Sequence, residues 1–145
     1  MKRHPALVPL SREHHKMLIL AQLLKRNAPV FKGLPEDPPG KAQYAQSIWE
    51  SIIEDHFARE EEHLYPVLLE VAELQDLALE LVNEHATLRR QYEGVVANPA
   101  AVEIQDTLGH MLEAHVRREE RELFEAAQQA LAPEVLVALA EVLAG

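Results

Sequence analysis

The residues richest in chemistry are histidines and glutamates at helical spacing. His56-Phe-Ala-Arg-Glu-Glu-Glu-His-Leu-Tyr65 aligns with His115-Val-Arg-Arg-Glu-Glu-Arg-Glu-Leu-Phe124, and both read H-x-x-R-E-E-x-x-L-aromatic. Each copy follows a segment with one histidine on its apolar stripe, His14 before the first and His85 before the second. Residues four apart on a helix are displaced by about 6 Å along the axis and lie on nearly the same face. His56 with Glu60, and His115 with Glu119, can therefore aim into one interior. Inward carboxylates and imidazoles are costly in a plain core, because a buried charge without a partner loses its hydration. A pair of bound cations removes that cost. Neutral imidazoles donate to a metal, and a carboxylate can bridge two metals through its two oxygens. The mixed nitrogen and oxygen set suits iron best, with manganese or zinc as alternatives.

A lone histidine on an apolar stripe is more often a hydrogen-bonded core residue than a ligand. Four of them, with a duplicated H-x-x-x-E, point to a metal centre. His14 is preferred over His15 as the first member, since it shares a face with Leu10, Met17, Leu18 and Ala21. Glu61 and Glu120 turn about 100° away from their neighbours and are expected to be solvated or paired with Arg59, Arg117 and Arg118. Arg59 and Arg118 themselves read as surface charge matching. His63 makes a single Glu-x-x-His with Glu60. A ferritin-type carboxylate site needs that motif twice, so the sequence argues against one. His4, His63 and His110 are left outside the ligand set. Tyr65 and Phe124 are expected to pack beside it, with the tyrosine also able to donate a hydrogen bond.

Four long segments and a short fifth must position these groups. The first helix is expected to begin near Ser11 as N-cap and to end near Asn27-Ala-Pro29. Residues 28–40, rich in Pro and Gly, read as a loop. The second helix is expected over about 41–70, with Ile48 and Ile52 (or Trp49 and Ile53) inward and a kink at Pro66. The third is expected over about 73–93, stopped by Gly94. The fourth follows Asn98-Pro99, with Val102, Ile104, Leu108, Met111, His115, Glu119 and Glu122 inward. A last helix, about 133–144, starts at Pro133 and should cover an open end of the assembly. Mostly short connections between long helices give an all-α, up-down-up-down antiparallel four-helix bundle, about residues 7–128, with a C-terminal fifth helix in the same single domain.

The order H…H-x-x-x-E…H…H-x-x-x-E resembles the hemerythrin-like HHE cation-binding domain. That resemblance implies His14, His56, His85 and His115 as terminal ligands and Glu60 and Glu119 as bridging carboxylates of two iron ions. An oxo or hydroxo bridge would complete the centre, with open positions for oxygen, peroxide or nitric oxide. Oxygen-carrying hemerythrins have a further histidine where this sequence has Arg89, and usually an aspartate where it has Glu119. Fewer histidines favour reaction at the metal over reversible oxygen storage. The expected function is binding, sensing or reaction of a small diatomic ligand or peroxide. The alternatives are iron storage or delivery and peroxide consumption.

Composition agrees with this reading. The chain has 145 residues, 48% apolar but only 5% aromatic, so packed aliphatic side chains must fill the interior. A formal net charge of −10 argues against nucleic-acid binding. No cysteine is present, which removes disulfides, thiolate ligands and iron–sulfur clusters. The apolar runs are too short to span a bilayer, and the first residues lack the apolar core of a secretion signal. A cytoplasmic location is the default expectation. Any signalling role would need a separate protein partner.

Overall fold

The computed structural model describes residues 2–144. α1 is Val8–Leu24, α2 spans residues 38–68, α3 is Gln75–Ala97, α4 spans residues 102–130 and α5 is Pro133–Leu143. α1 to α4 form an antiparallel four-helix bundle. Ser11 and His14 at the start of α1 meet Glu120 of α4, whereas Gln22 and Lys25 at its other end meet Glu113. α3 likewise opposes α4, with Glu84 beside His115 and Gly94 beside Ile104. α2 opposes α3, with Glu61 bonded to His85 and Trp49 stacked on Tyr92.

Several helix ends differ from the sequence expectation. α1 begins three residues before Ser11, because Pro9 is tolerated in a first turn, and Ser11 bonds Glu120 instead of capping. Asp37 caps α2, accepting from the Gly40 N–H at 2.8 Å. Gly94 does not stop α3, which continues to Ala97 and ends before Asn98-Pro99. A residue before proline is driven out of helical geometry. Gly94 instead permits close packing, since a Cβ there would lie 3.3 Å from Ile104. Gly109 does the same more severely: its Cβ would sit 2.6 Å from the Ala21 carbonyl oxygen of α1. On α2, Trp49 and Ile53 are the buried pair, while Ile48 and Ile52 are only partly covered. On α4, Val102 and Glu122 face solvent, and Gln105, Leu112 and Val116 face inward.

α2 and α4 carry π-helical turns at Trp49–Ile53, Glu60–Leu64 and Glu119–Leu123. In the last two, the N–H groups of Tyr65 and Phe124 bond the carbonyls of Glu60 and Glu119, five residues back. Pro66 is not the cause. Its counterpart in the repeat is Glu125, yet the same π turn forms there. Such turns mark functional positions in helices more often than accidents of sequence.

The interior divides in two. One apolar cluster holds Leu10, Leu64, Leu81, Leu123 and Phe124, sealed by Leu136, Leu139 and Leu143 of α5. The other holds Met17, Trp49, Ile53, Phe57, Leu88, Leu108 and Val116. Between them lies a layer of buried polar side chains. No helix among the described residues is long and apolar enough to cross a membrane.

Candidate metal centre

His14, His56, Glu60, His85, His115 and Glu119 are all buried, none more than 1% exposed, and together they form that layer. Each comes from mid-helix, where two apolar clusters hold the backbone on either side. The structure therefore brings together all six residues singled out by the repeat. His15 is exposed, whereas His14 lies in the layer. His4, His63 and His110 lie elsewhere.

The imidazole Nε2 atoms point toward the two carboxylates. His14 Nε2 is 3.0 Å from Glu119 Oε1 and 3.1 Å from His56 Nε2. His56 Nε2 is 3.4 Å from Glu60 Oε2, and His85 Nε2 is 3.3 Å from Glu60 Oε1. His115 Nε2 is 3.7 Å from Glu119 Oε1. Two overlapping sets result, His14-His56-Glu60-Glu119 and Glu60-His85-His115-Glu119, each with its donor atoms within 4.8 Å of one another. Both glutamates belong to both sets. Each histidine belongs to one.

The outer nitrogens are equally ordered. His14 Nδ1 meets Glu120 at 2.5 Å, His56 Nδ1 meets Glu13 at 2.8 Å, His85 Nδ1 meets Glu61 at 2.7 Å and His115 Nδ1 meets Glu84 at 2.8 Å. A carboxylate on Nδ1 fixes that nitrogen as the donor and turns the Nε2 lone pair inward. Glu61 and Glu120 are thus not simply solvated, as their angular position suggested, but anchor histidines of the neighbouring hairpin. Glu13 and Glu84 were missed. Their signal is in the sequence, since Glu13-His14 and Glu84-His85 are the same dipeptide at equivalent places in the two hairpins. Arg89 grips Glu61, Arg59 grips Glu13, Arg118 reaches Glu84, and Arg3 and Ser11 hold Glu120.

Tyr65 breaks the symmetry. Its hydroxyl donates a short hydrogen bond to Glu119 Oε2, whereas the equivalent residue opposite Glu60 is Phe124, stacked on His14. Burial and the charges of Glu119 and Glu60 push the Tyr65 phenol well above its ordinary range, so it stays protonated as a donor.

Electrostatics gives the same pocket a balance of charge without a cation. Burial opposes a charge on His56, but the Glu60 carboxylate and the bond to Glu13 outweigh it and raise the imidazole to about 10. His14 and His85 are raised too, with Glu119 and Glu60 outweighing their burial. Glu60 is held well below the carboxylate range despite complete burial, chiefly by His56. Protons on imidazoles thus stand where positive charge is needed.

Even so, both oxygens of Glu60, His85 Nε2 and His115 Nε2 are buried and meet no hydrogen-bond partner among the described residues. Buried polar atoms are normally paired, and such a convergent group left unpaired is the signature expected of cation ligands. The residues fit a two-cation centre.

The comparison with known families agrees. Residues 7–127 match the hemerythrin HHE cation-binding domain, a span that contains every residue of the layer. The chain belongs to this family. No curated protein and no solved structure gives a significant match.

Proposed function

We propose that the protein holds two iron ions between its helices and uses them to bind, sense or react with oxygen, peroxide or nitric oxide. His14 and His56 would hold one ion and His85 and His115 the other, with Glu60 and Glu119 shared. The observation that carries this reading is the set of partnerless donor atoms facing one another across a dry layer. When bound, iron would supply one-electron redox chemistry and coordination positions for a small ligand.

The chain's own groups define the rest. Four carboxylates fix the imidazole rings, so little reorganisation accompanies loading. The Tyr65 hydroxyl keeps one oxygen of Glu119 engaged, while both oxygens of Glu60 remain available. The two carboxylates are therefore inequivalent, and the pocket offers a small ligand two different sides. Arg89, where oxygen carriers have another histidine, is committed to Glu61 and Glu54 and leaves the inner layer without a further nitrogen donor. A ring of anchored ligands also favours a resident centre over iron delivery, which requires metal that leaves readily.

Protein expressed with ample iron should contain close to two irons per chain and show the absorption of an oxo- or hydroxo-bridged ferric pair. His115→Ala and Glu119→Ala should lose both. Wild-type protein that takes up no transition metal would overturn the proposal, and iron lost at once to a mild chelator would favour delivery.

A further inference from the structure

One route leads from the metal layer to the surface through aromatic rings. Phe57 stacks on His85 with centroids 3.9 Å apart and planes 12° from parallel. Trp49, eight residues earlier on α2, meets Phe57 edge-on at 5.8 Å. Tyr92 of α3 lies flat on Trp49 at 4.3 Å, with planes 2° from parallel. Trp49 is 2% exposed and Tyr92 is half-buried, at a surface cleft lined also by Glu50, Glu54, Arg89 and Glu93. On the other half of the centre, His56 also meets Phe57, edge-on at 6.2 Å, so both halves converge on the same ring, whereas the ring beside His14 is Phe124, under the Arg3 guanidinium.

The geometry points to a built-in electron relay in which Trp49 and Tyr92 carry an oxidising equivalent from the buried centre to the surface cleft, where a small neutral thiol quenches it. This inference rests on the two-iron reading above. Tunnelling decays exponentially with distance, so two easily oxidised rings in series replace one long jump with short ones. Phe57 is hard to oxidise, more so with the Arg89 guanidinium 5.4 Å over its face, and therefore serves as a bridge. Trp49 is the first stop. Hydrogen peroxide, reduced to two waters at the layer, is the oxidant and takes two electrons and two protons in all; for each electron the Trp49 indole becomes a radical cation, its Nε1–H still bonded to Glu54 at 3.2 Å. That carboxylate stabilises the positive ring. Tyr92 next returns an electron to Trp49 and releases its phenolic proton to water in the cleft, leaving a neutral tyrosyl radical. The thiol then gives Tyr92 a hydrogen atom, restoring the phenol, and two thiyl radicals couple to a disulfide. The acidic rim of the cleft disfavours anionic reductants, hence the neutral one.

The test treats the iron-loaded protein with hydrogen peroxide and freezes it within milliseconds for electron paramagnetic resonance. A tyrosyl signal should appear in the wild type and disappear faster when a neutral thiol is added. Tyr92→Phe, which alters a partly exposed ring and should leave the fold intact, should replace it with a tryptophan signal. Trp49→Phe, checked for unchanged iron content, should show neither. A signal that survives Tyr92→Phe unchanged, or one assigned to Tyr65, which touches Glu119 but does not reach the surface, would overturn the relay. Iron analysis of the same samples separates the failures, since a wild type without iron removes both the relay and the two-iron reading.

Discussion

At the scale of the residue, each imidazole is a two-ended device. Its Nδ1 is tied to a carboxylate and its Nε2 is thereby offered to the interior. Glu84 is the least constrained anchor, gripped among the described residues only by Arg118, at 3.6 Å. Glu84→Ala should leave the bundle folded but weaken metal affinity by about 10- to 100-fold, the usual effect of removing a ligand's outer partner. Competition against a calibrated chelator measures this, and an unchanged affinity would show that the anchor is idle. Tyr65→Phe should destabilise the metal-free protein by about 1–3 kcal/mol, because Glu119 Oε2 loses its donor in a dry site. The loss should shrink in the loaded protein, where a cation takes over that oxygen; denaturant unfolding of both forms decides. The inward placement of His56, Glu60, His115 and Glu119 was legible from their four-residue steps, and that of His14 and His85 from the apolar stripes they share. The outer carboxylates were harder to read. Glu61 and Glu120 sit one residue past the inner face, and only the register between neighbouring helices shows that they reach across to His85 and His14.

At the scale of the element, the helices are shaped to bring two backbones together. Gly109 lets α4 lie against the Ala21 carbonyl of α1, at the usual helix-interior penalty of glycine. Gly109→Ala should therefore destabilise by about 1–3 kcal/mol, opposite to the gain alanine brings to an exposed helix. Thermal unfolding tests the sign: a rise in Tm would contradict the close approach. Helix existence, order and approximate length were legible from apolar periodicity. The ends were less so. Gly94 resembles a stop signal, but tertiary contact with Ile104 uses its small size inside the helix, and proline five residues on ends it. The π turns left no local trace either. Two of the three begin at Glu60 and Glu119, where the same residues already carry a side-chain role.

At the scale of the molecule, a charged layer separates two apolar clusters, and that arrangement sets a pH dependence. His14, His56 and His85 have folded-state values above the ordinary 6.5, so their contribution to metal-free stability is complete below 6.5. It is lost as pH rises through the folded-state values, about 10 for His56. Glu13, Glu60, Glu61 and Glu120 lie below the ordinary 4.5, so their contribution is present above 4.5 and lost as pH falls through the lowered values. The metal-free protein should be most stable between these limits and soften toward alkaline pH. A cation needs the imidazoles neutral, so loading releases protons and its stabilisation grows with pH. Unfolding of loaded and metal-free protein across the range above 6.5 should show the gap widening; a constant gap would mean that metal displaces no protons from the histidines. The bundle class was legible in the sequence, but the division of its core was not, because only packing decides which apolar residues lie on each side of the layer.

The most direct test of the whole account is anomalous diffraction at the iron edge from crystals of the iron-loaded protein. Two peaks are expected within the layer, one between His14 and His56 and one between His85 and His115, both within reach of Glu60 and Glu119. A single peak, or iron found only on surface carboxylates with the inner six side chains unoccupied, would contradict it.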